Sequence, residues 1–142
     1  HQCGKKHNES CKNNYEKRYV DAEVLPFIDN MRAAYEWADL VVCRSGALTI
    51  AELSMVGIAS ILIPYPYAAD NHQFHNACFL KSKNAAQIIH EVDLDATSLA
   101  SLIMQYQNNR DDLITLAINA RTLAMDGATE NLAKGILTGS IL

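Results

Sequence analysis

Between Cys43 and Glu52 the chain reads Cys-Arg-Ser-Gly-Ala-Leu-Thr-Ile-Ala-Glu. A guanidinium, a glycine turn and a carboxylate thus stand around a stretch that starts like a helix. The first backbone N–H groups of a helix have no partner inside it and lie at the positive end of its dipole, so a turn such as Ser45-Gly46 leading into Ala47 can receive a phosphate. Glu52 lies seven residues beyond Ser45, two helical turns along and on the same face. A carboxylate at that place accepts hydrogen bonds from the two hydroxyls of a ribose whose phosphates rest on the helix start. The residues leave a second reading open, and it is the plainer one: strand, glycine turn and helix occur in every α/β domain, and Glu52 then reads as a solvated surface group.

The elements that must hold these groups follow from the pattern. Leu40 to Cys43 reads as a short buried strand, and Ala47 to Val56 as a helix closed by Gly57. Around them we expect helices over Glu9–Arg18, Met31–Trp37 and His72–Ser82, and strands over Ala22–Leu25, Ser60–Ile63 and Ala86–Ile89. After Asp93 only helices are expected: Ala96–Gln107, Asp111–Ala124 and Thr129 to about Leu137. The runs Leu40-Val41-Val42 and Ile61-Leu62-Ile63 are continuously apolar, as in parallel strands covered on both faces. Strands alternating with helices predict an α/β fold, a doubly wound, Rossmann-like parallel sheet with extra helices at its C-terminal end. Leu99, Leu102, Ile103 and Tyr106, like Leu113, Leu116, Ala117 and Ala120, fall at helical spacing and read as packing faces. Pro64 and Pro66 end the Ile61–Ile63 strand, because proline donates no ladder hydrogen bond, and open a stiff loop where doubly wound sheets bind ligands. No internal repeat and no linker rich in Gly, Pro or Ser divides the 142 residues, so one domain is expected.

Composition narrows the classes. The formal net charge of −4 argues against nucleic acid as a partner. No apolar run approaches the ~20 residues that cross a bilayer. The four cysteines, at 3, 11, 43 and 78, form no C-x-x-C pair and read as reduced thiols of a cytoplasmic protein. His1, Cys3, His7 and Cys11 cluster, but their spacing fits no common zinc pattern. No cofactor or metal is expected.

Four separated motifs also carry a resemblance. Phe27-Ile28-Asp29-Asn30-Met31, Ala34-Tyr35-Glu36-Trp37-Ala38-Asp39, the stretch from Cys43 to Glu52, and Asp70-Asn71-His72-Gln73 with Asn76-Ala77 resemble the MurG family in order and spacing. The similarity runs from His1-Gln2 to about Ala133. Members transfer N-acetylglucosamine from UDP-N-acetylglucosamine to the lipid-linked muramyl pentapeptide of peptidoglycan synthesis, at the cytoplasmic face of the inner membrane. The resemblance implies the donor-binding C-terminal half of a two-domain, GT-B, inverting glycosyltransferase. His1-Gln2-Cys3-Gly4-Lys5 is similar to a family motif that follows a strand, so the chain is expected to be part of a longer protein whose acceptor half is missing.

Carried over residue by residue, the resemblance implies that Ile28 binds uracil through its backbone and Glu52 the ribose. Arg44 and the Ser45-Gly46 turn, with the backbone of Ala47, Leu48 and Thr49 and the Thr49 hydroxyl, would face the diphosphate and sugar. Gln73 and Asn76 would read the sugar hydroxyls. Arg44 offers a fork of donors to phosphate oxygens, and a surface ion pair is its plainer role. Gln73 and Asn76 share a helical face at i, i+3 and carry both donors and acceptors, with capping as their plainer role. His72 and His75 are named for no catalytic step, and no catalytic residue is assigned. The chain departs from the family at Asn30, where aspartate is frequent, and at Tyr67-Ala68-Ala69, where histidine-bearing loops are expected. It should bind donor without completing transfer. Two alternatives stand beside this reading: a nucleotide-binding module acting with a separate partner subunit, and another enzyme of the same architecture such as a UDP-sugar epimerase.

Overall fold

The computed structural model describes residues 1–127; the helix expected from Thr129 lies outside them. Two compact units are distinguished, His1–Trp37 and the chain from Ala38 onward.

In the first unit, α1 (Asn8–Glu16) follows a 3-10 turn over Lys5–His7, and α2 (Met31–Trp37) closes the unit. Asn30 Oδ1 accepts from the Ala33 N–H at 3.0 Å and caps α2. An amide supplies that oxygen as well as an aspartate would. The strand expected over Ala22–Leu25 is not formed. Only an isolated parallel bridge joins Gln2 to Leu25, with Leu25 donating to His1 O at 2.9 Å and Cys3 to Leu25 O at 3.0 Å. The cause is local: of these four residues only Val24 is buried, and Pro26 follows, which cannot continue a ladder.

The second unit is the α/β body. Strands β1 (Leu40–Cys43), β2 (Ala59–Leu62) and β3 (Gln87–Ile88) form a sheet in that order. All pairs are parallel, with Leu40 opposite Ala59, Cys43 opposite Leu62 and Leu62 opposite Ile88. The crossovers are α3 (Ala47–Val56) and α4 (His72–Ser82), followed by α5 (Ala96–Asn108) and α6 (Arg110–Thr122). Every residue of β2 is buried, as a central strand between covered faces requires. Ala59 at its start packs with Tyr106, Leu113 and Leu116, and with Leu40, Leu102 and Ala117 around them, so the apolar stripes of α5 and α6 form the core over β2. Removing a leucine such as Leu116 from this cluster would cost about 2–5 kcal/mol.

The ends of these helices are set by specific residues. Gly57 takes φ 72°, ψ 57° and donates to Leu53 O at 2.9 Å, closing α3. A Cβ on Gly57 would lie 2.8 Å from Arg121 Cβ, so glycine is required here by both backbone and space. At α5, Asp95 accepts from the Thr97 and Ser98 N–H groups at 2.7 and 2.9 Å, and the Asp95 N–H donates to Ser98 Oγ at 3.2 Å. This reciprocal cap satisfies donors that the helix itself cannot.

Candidate functional site

Past the carboxyl end of β1 the chain turns through Arg44, Ser45 and Gly46 into α3. Ser45 is fully buried. Its hydroxyl donates to Gln73 O at 2.7 Å, and Asn76 Nδ2 donates to Ser45 O at 3.0 Å. The turn is therefore stitched to the first turns of α4, which brings two motifs almost thirty residues apart to one place. Ile50 N–H makes the first bond of α3, to Gly46 O at 3.0 Å. That leaves the N–H groups of Ala47, Leu48 and Thr49 without helical partners, and no side chain caps this helix start.

Gly46 has φ −63° and ψ 152°, which any residue adopts. A Cβ there would meet only Thr49 Oγ1, at 3.6 Å. Neither backbone nor packing requires glycine at 46, and the space a side chain would fill lies at the uncapped helix start. Glu52 stands exposed on the next turns of the same helix.

Arg44 is held in place. Its Nη1 donates to Ile63 O and Pro64 O, each at 3.3 Å, and pairs with Glu91 Oε2. Its Cζ stands 5.5 Å from the centre of the Tyr65 ring, a cation–π distance. Gln73 Oε1 accepts from the Tyr65 N–H at 2.9 Å, so Gln73 also shapes the Pro64–Pro66 loop and keeps its NH2 group for other partners. Asn76 keeps its carbonyl oxygen. His72 Nδ1 is bonded to Ala69 O at 2.7 Å, a local turn contact. Asp70 and Asn71 take left-handed φ of 49° and 54°, which these two residue types tolerate better than most.

A cleft of about 650 Å³ opens beyond this loop, walled by Pro64, Tyr67, Phe74, His90, Glu91 and Val92. It shares Glu91 with the Arg44 ion pair, and its walls do not include Ser45 to Thr49. Burial pushes the Cys43 thiol up to about 11, so the thiol next to Arg44 stays protonated near neutral pH and is a poor nucleophile. Among the described residues no three His, Cys, Asp or Glu side chains are placed to hold a metal ion, and no helix is long and apolar enough to cross a membrane.

Within the second unit, the structure thus brings together Arg44, Ser45, Gly46, Ala47, Leu48, Thr49, Gln73 and Asn76, with Glu52 further along α3. Ile28 belongs to the first unit, where its N–H donates to Gln2 Oε1 at 2.9 Å. Sequence reasoning missed Glu91 and Tyr65 as partners of Arg44. The available signal was positional: Arg44 and Glu91 each stand just past the carboxyl end of a parallel strand.

Comparison with known proteins agrees with this geometry. Residues 1–132 match the family model described as Glycosyltransferase family 28 C-terminal domain. The UDP-N-acetylglucosamine--N-acetylmuramyl-(pentapeptide) pyrophosphoryl-undecaprenol N-acetylglucosamine transferase of Coxiella burnetii (strain RSA 331 / Henzerling II) is 51% identical over 132 residues, 93% of this chain and 37% of that protein. The enzyme of the same name from Dechloromonas aromatica (strain RCB) is 47% identical over 134 residues, 94% of this chain and 37% of the relative. The crystal structure of Acinetobacter baumannii MurG superposes with a TM-score of 0.89 at 36% identity, over 97% of this chain and 40% of that one. The chain therefore spans about two fifths of the length of the relatives it matches, and the resemblance to the MurG family is borne out. With a parallel sheet, an uncapped helix after β1 and a match over almost its whole length, the chain belongs to glycosyltransferase family 28, as a C-terminal domain of that family.

Proposed function

We propose that this chain is the donor-binding part of an inverting N-acetylglucosaminyl transferase of peptidoglycan synthesis, and that UDP-N-acetylglucosamine rests its diphosphate on the start of α3. The observation that carries the reading is the helix start itself: three unpartnered N–H groups, no side-chain cap, and a glycine whose Cβ would meet only Thr49 Oγ1 at 3.6 Å. Such a start, past the carboxyl end of a strand, is where open α/β sheets bind phosphates. The N–H groups of Ala47, Leu48 and Thr49 and the Ser45-Gly46 turn receive the diphosphate, and the Thr49 hydroxyl adds a donor. Arg44 balances the negative charge that grows on the departing UDP. Glu52 accepts from the ribose hydroxyls, while the Gln73 NH2 and the Asn76 carbonyl read the sugar. Ile28 is assigned to uracil on the resemblance; with its N–H committed to Gln2, its carbonyl is the group that accepts from the uracil imide N–H.

The name of the relatives supplies the acceptor, a muramyl pentapeptide on undecaprenyl pyrophosphate. In the proposal a further domain holds it at the cytoplasmic face of the membrane, and this chain alone does not transfer. Holding two substrates in register contributes up to roughly 7–11 kcal/mol to such a reaction.

Calorimetric titration of the chain with UDP-N-acetylglucosamine, UDP and ADP tests the reading. The two uridine ligands should bind and ADP should not. Absence of UDP binding removes the proposal, and equal binding of ADP removes its base selectivity. Following labelled sugar into a lipid acceptor, first with this chain alone and then with the N-terminal half of a family member added, tests the division of labour.

A further inference from the structure

We infer that Glu91 is the positioning residue of Arg44, fixing the guanidinium so that its Nε–Nη2 edge forms a preset fork for two phosphate oxygens; this rests on the donor-binding reading above. Every described polar contact of Arg44 runs through Nη1, to Ile63 O, Pro64 O and Glu91 Oε2, and the Tyr65 ring backs the guanidinium. A guanidinium carries five N–H donors in one rigid plane, so the three on Nε and Nη2 have no partner among the described residues. Nε and Nη2 together form a side-on edge that meets a phosphate in two parallel hydrogen bonds.

The clamp draws on three strands, since Arg44 follows β1, Ile63 and Pro64 follow β2, and Glu91 follows β3. Both side chains of the ion pair are partly exposed, 48% for Arg44 and 37% for Glu91, and pairs this exposed contribute little to fold stability. By charge alone, a carboxylate beside a diphosphate site is unfavourable. Its benefit is orientation: an arginine already held in one rotamer gives up less freedom when the ligand arrives. Repulsion and positioning have opposite signs in the affinity, so a titration separates them.

The test titrates UDP and uridine into the wild-type chain, Glu91→Ala, Glu91→Gln, Arg44→Ala and the double variant Arg44→Ala/Glu91→Ala. Glu91→Ala should weaken UDP about threefold to tenfold, the effect of freeing one long side chain, and leave uridine unchanged. Glu91→Gln, which keeps an acceptor for Nη1, should recover most of that loss. In the Arg44→Ala background, Glu91→Ala should have no further effect on UDP, a result that general loosening of the loop would not give. The melting temperature of Glu91→Ala should fall by no more than about 4 °C. Unchanged or tighter UDP binding by Glu91→Ala, an equal loss for uridine, or the same loss without Arg44 would overturn the inference while leaving the donor site standing. Failure of the wild-type chain to bind UDP would remove both.

Discussion

Two helices of the same body begin in opposite ways. At α5 the Asp95 carboxylate takes the Thr97 and Ser98 N–H groups, and Ser98 answers with its hydroxyl; at α3 no side chain caps the start. Both helices face the same physical demand, because the donors of a first turn need partners. In α5 the chain meets the demand itself, and the result is structural. In α3 it leaves the demand to solvent or to an anion, although a serine stands one residue before the N-cap. That serine is turned inward instead: Ser45 is fully buried and bonded to α4. A helix start is left open to a ligand when the residues that would cap it are used elsewhere.

The most direct way to break this contrast is to make α3 begin like α5. Gly46→Asp supplies a cap and a negative charge, so the fold should hold and the melting temperature stay level or rise. UDP affinity should drop by about 4 kcal/mol, the repulsion of unit charges ~4 Å apart near a protein surface; calorimetry alongside thermal unfolding reads both. If Glu52 holds the ribose as proposed, Glu52→Ala should cost about 1–3 kcal/mol of UDP affinity, as for lost hydrogen bonds to a charged group. Equal affinity in the two proteins would remove the ribose role. Gln73→Ala should weaken UDP-N-acetylglucosamine by about 0.5–1.5 kcal/mol and UDP by less, because in the proposal the amide reads the sugar, while in the structure it supports Tyr65. Equal losses would leave only the loop-supporting role.

At the other pole, Asp95→Ala should lower the melting temperature and leave UDP binding untouched. Hydrogen bonds from the Ser98 and then the Thr97 N–H hold the Asp95 carboxyl below its ordinary value of 3.8. A depressed carboxylate stabilises the fold fully above its unfolded value, and that contribution is lost as pH falls through the lowered folded one. The melting-temperature gap between wild type and Asp95→Ala should therefore be full near pH 7 and close as the pH drops below 3.8.

The bounds of α2, β1, α3 and α4 coincide with those expected from the chain, because each is marked by a local signal, such as the apolar run of Leu40–Cys43 or Gly57 closing α3. β2 begins one residue before the expected Ser60 and ends before Ile63, since a strand in a continuous apolar run has no pattern to fix its ends. Ala22–Leu25 misled for a different reason: β-propensity is met only where a neighbour strand is available, and this segment finds a single bridge. At the site, the helix start was legible because its signal is contiguous in the chain. The partners of its polar groups were not. Nothing in the spacing says that Gln73 bonds the Tyr65 N–H, that Asn76 bonds Ser45 O, or that Arg44 pairs with Glu91, because strand register decides those meetings.

The close fit of Gly57 against Arg121 reaches beyond the helix end it closes. α3 is a rod ~15 Å long. Its far end is seated against α6 with no room for a single methyl group, since a Cβ on Gly57 would stand 2.8 Å from Arg121 Cβ. A rod pinned at one end behaves as a lever, and a displacement at the pin reappears as a change of aim at the tip. The angle at which α3 presents its first N–H groups is thus tied to its seat on α6, where a substitution would re-aim the helix start without touching it.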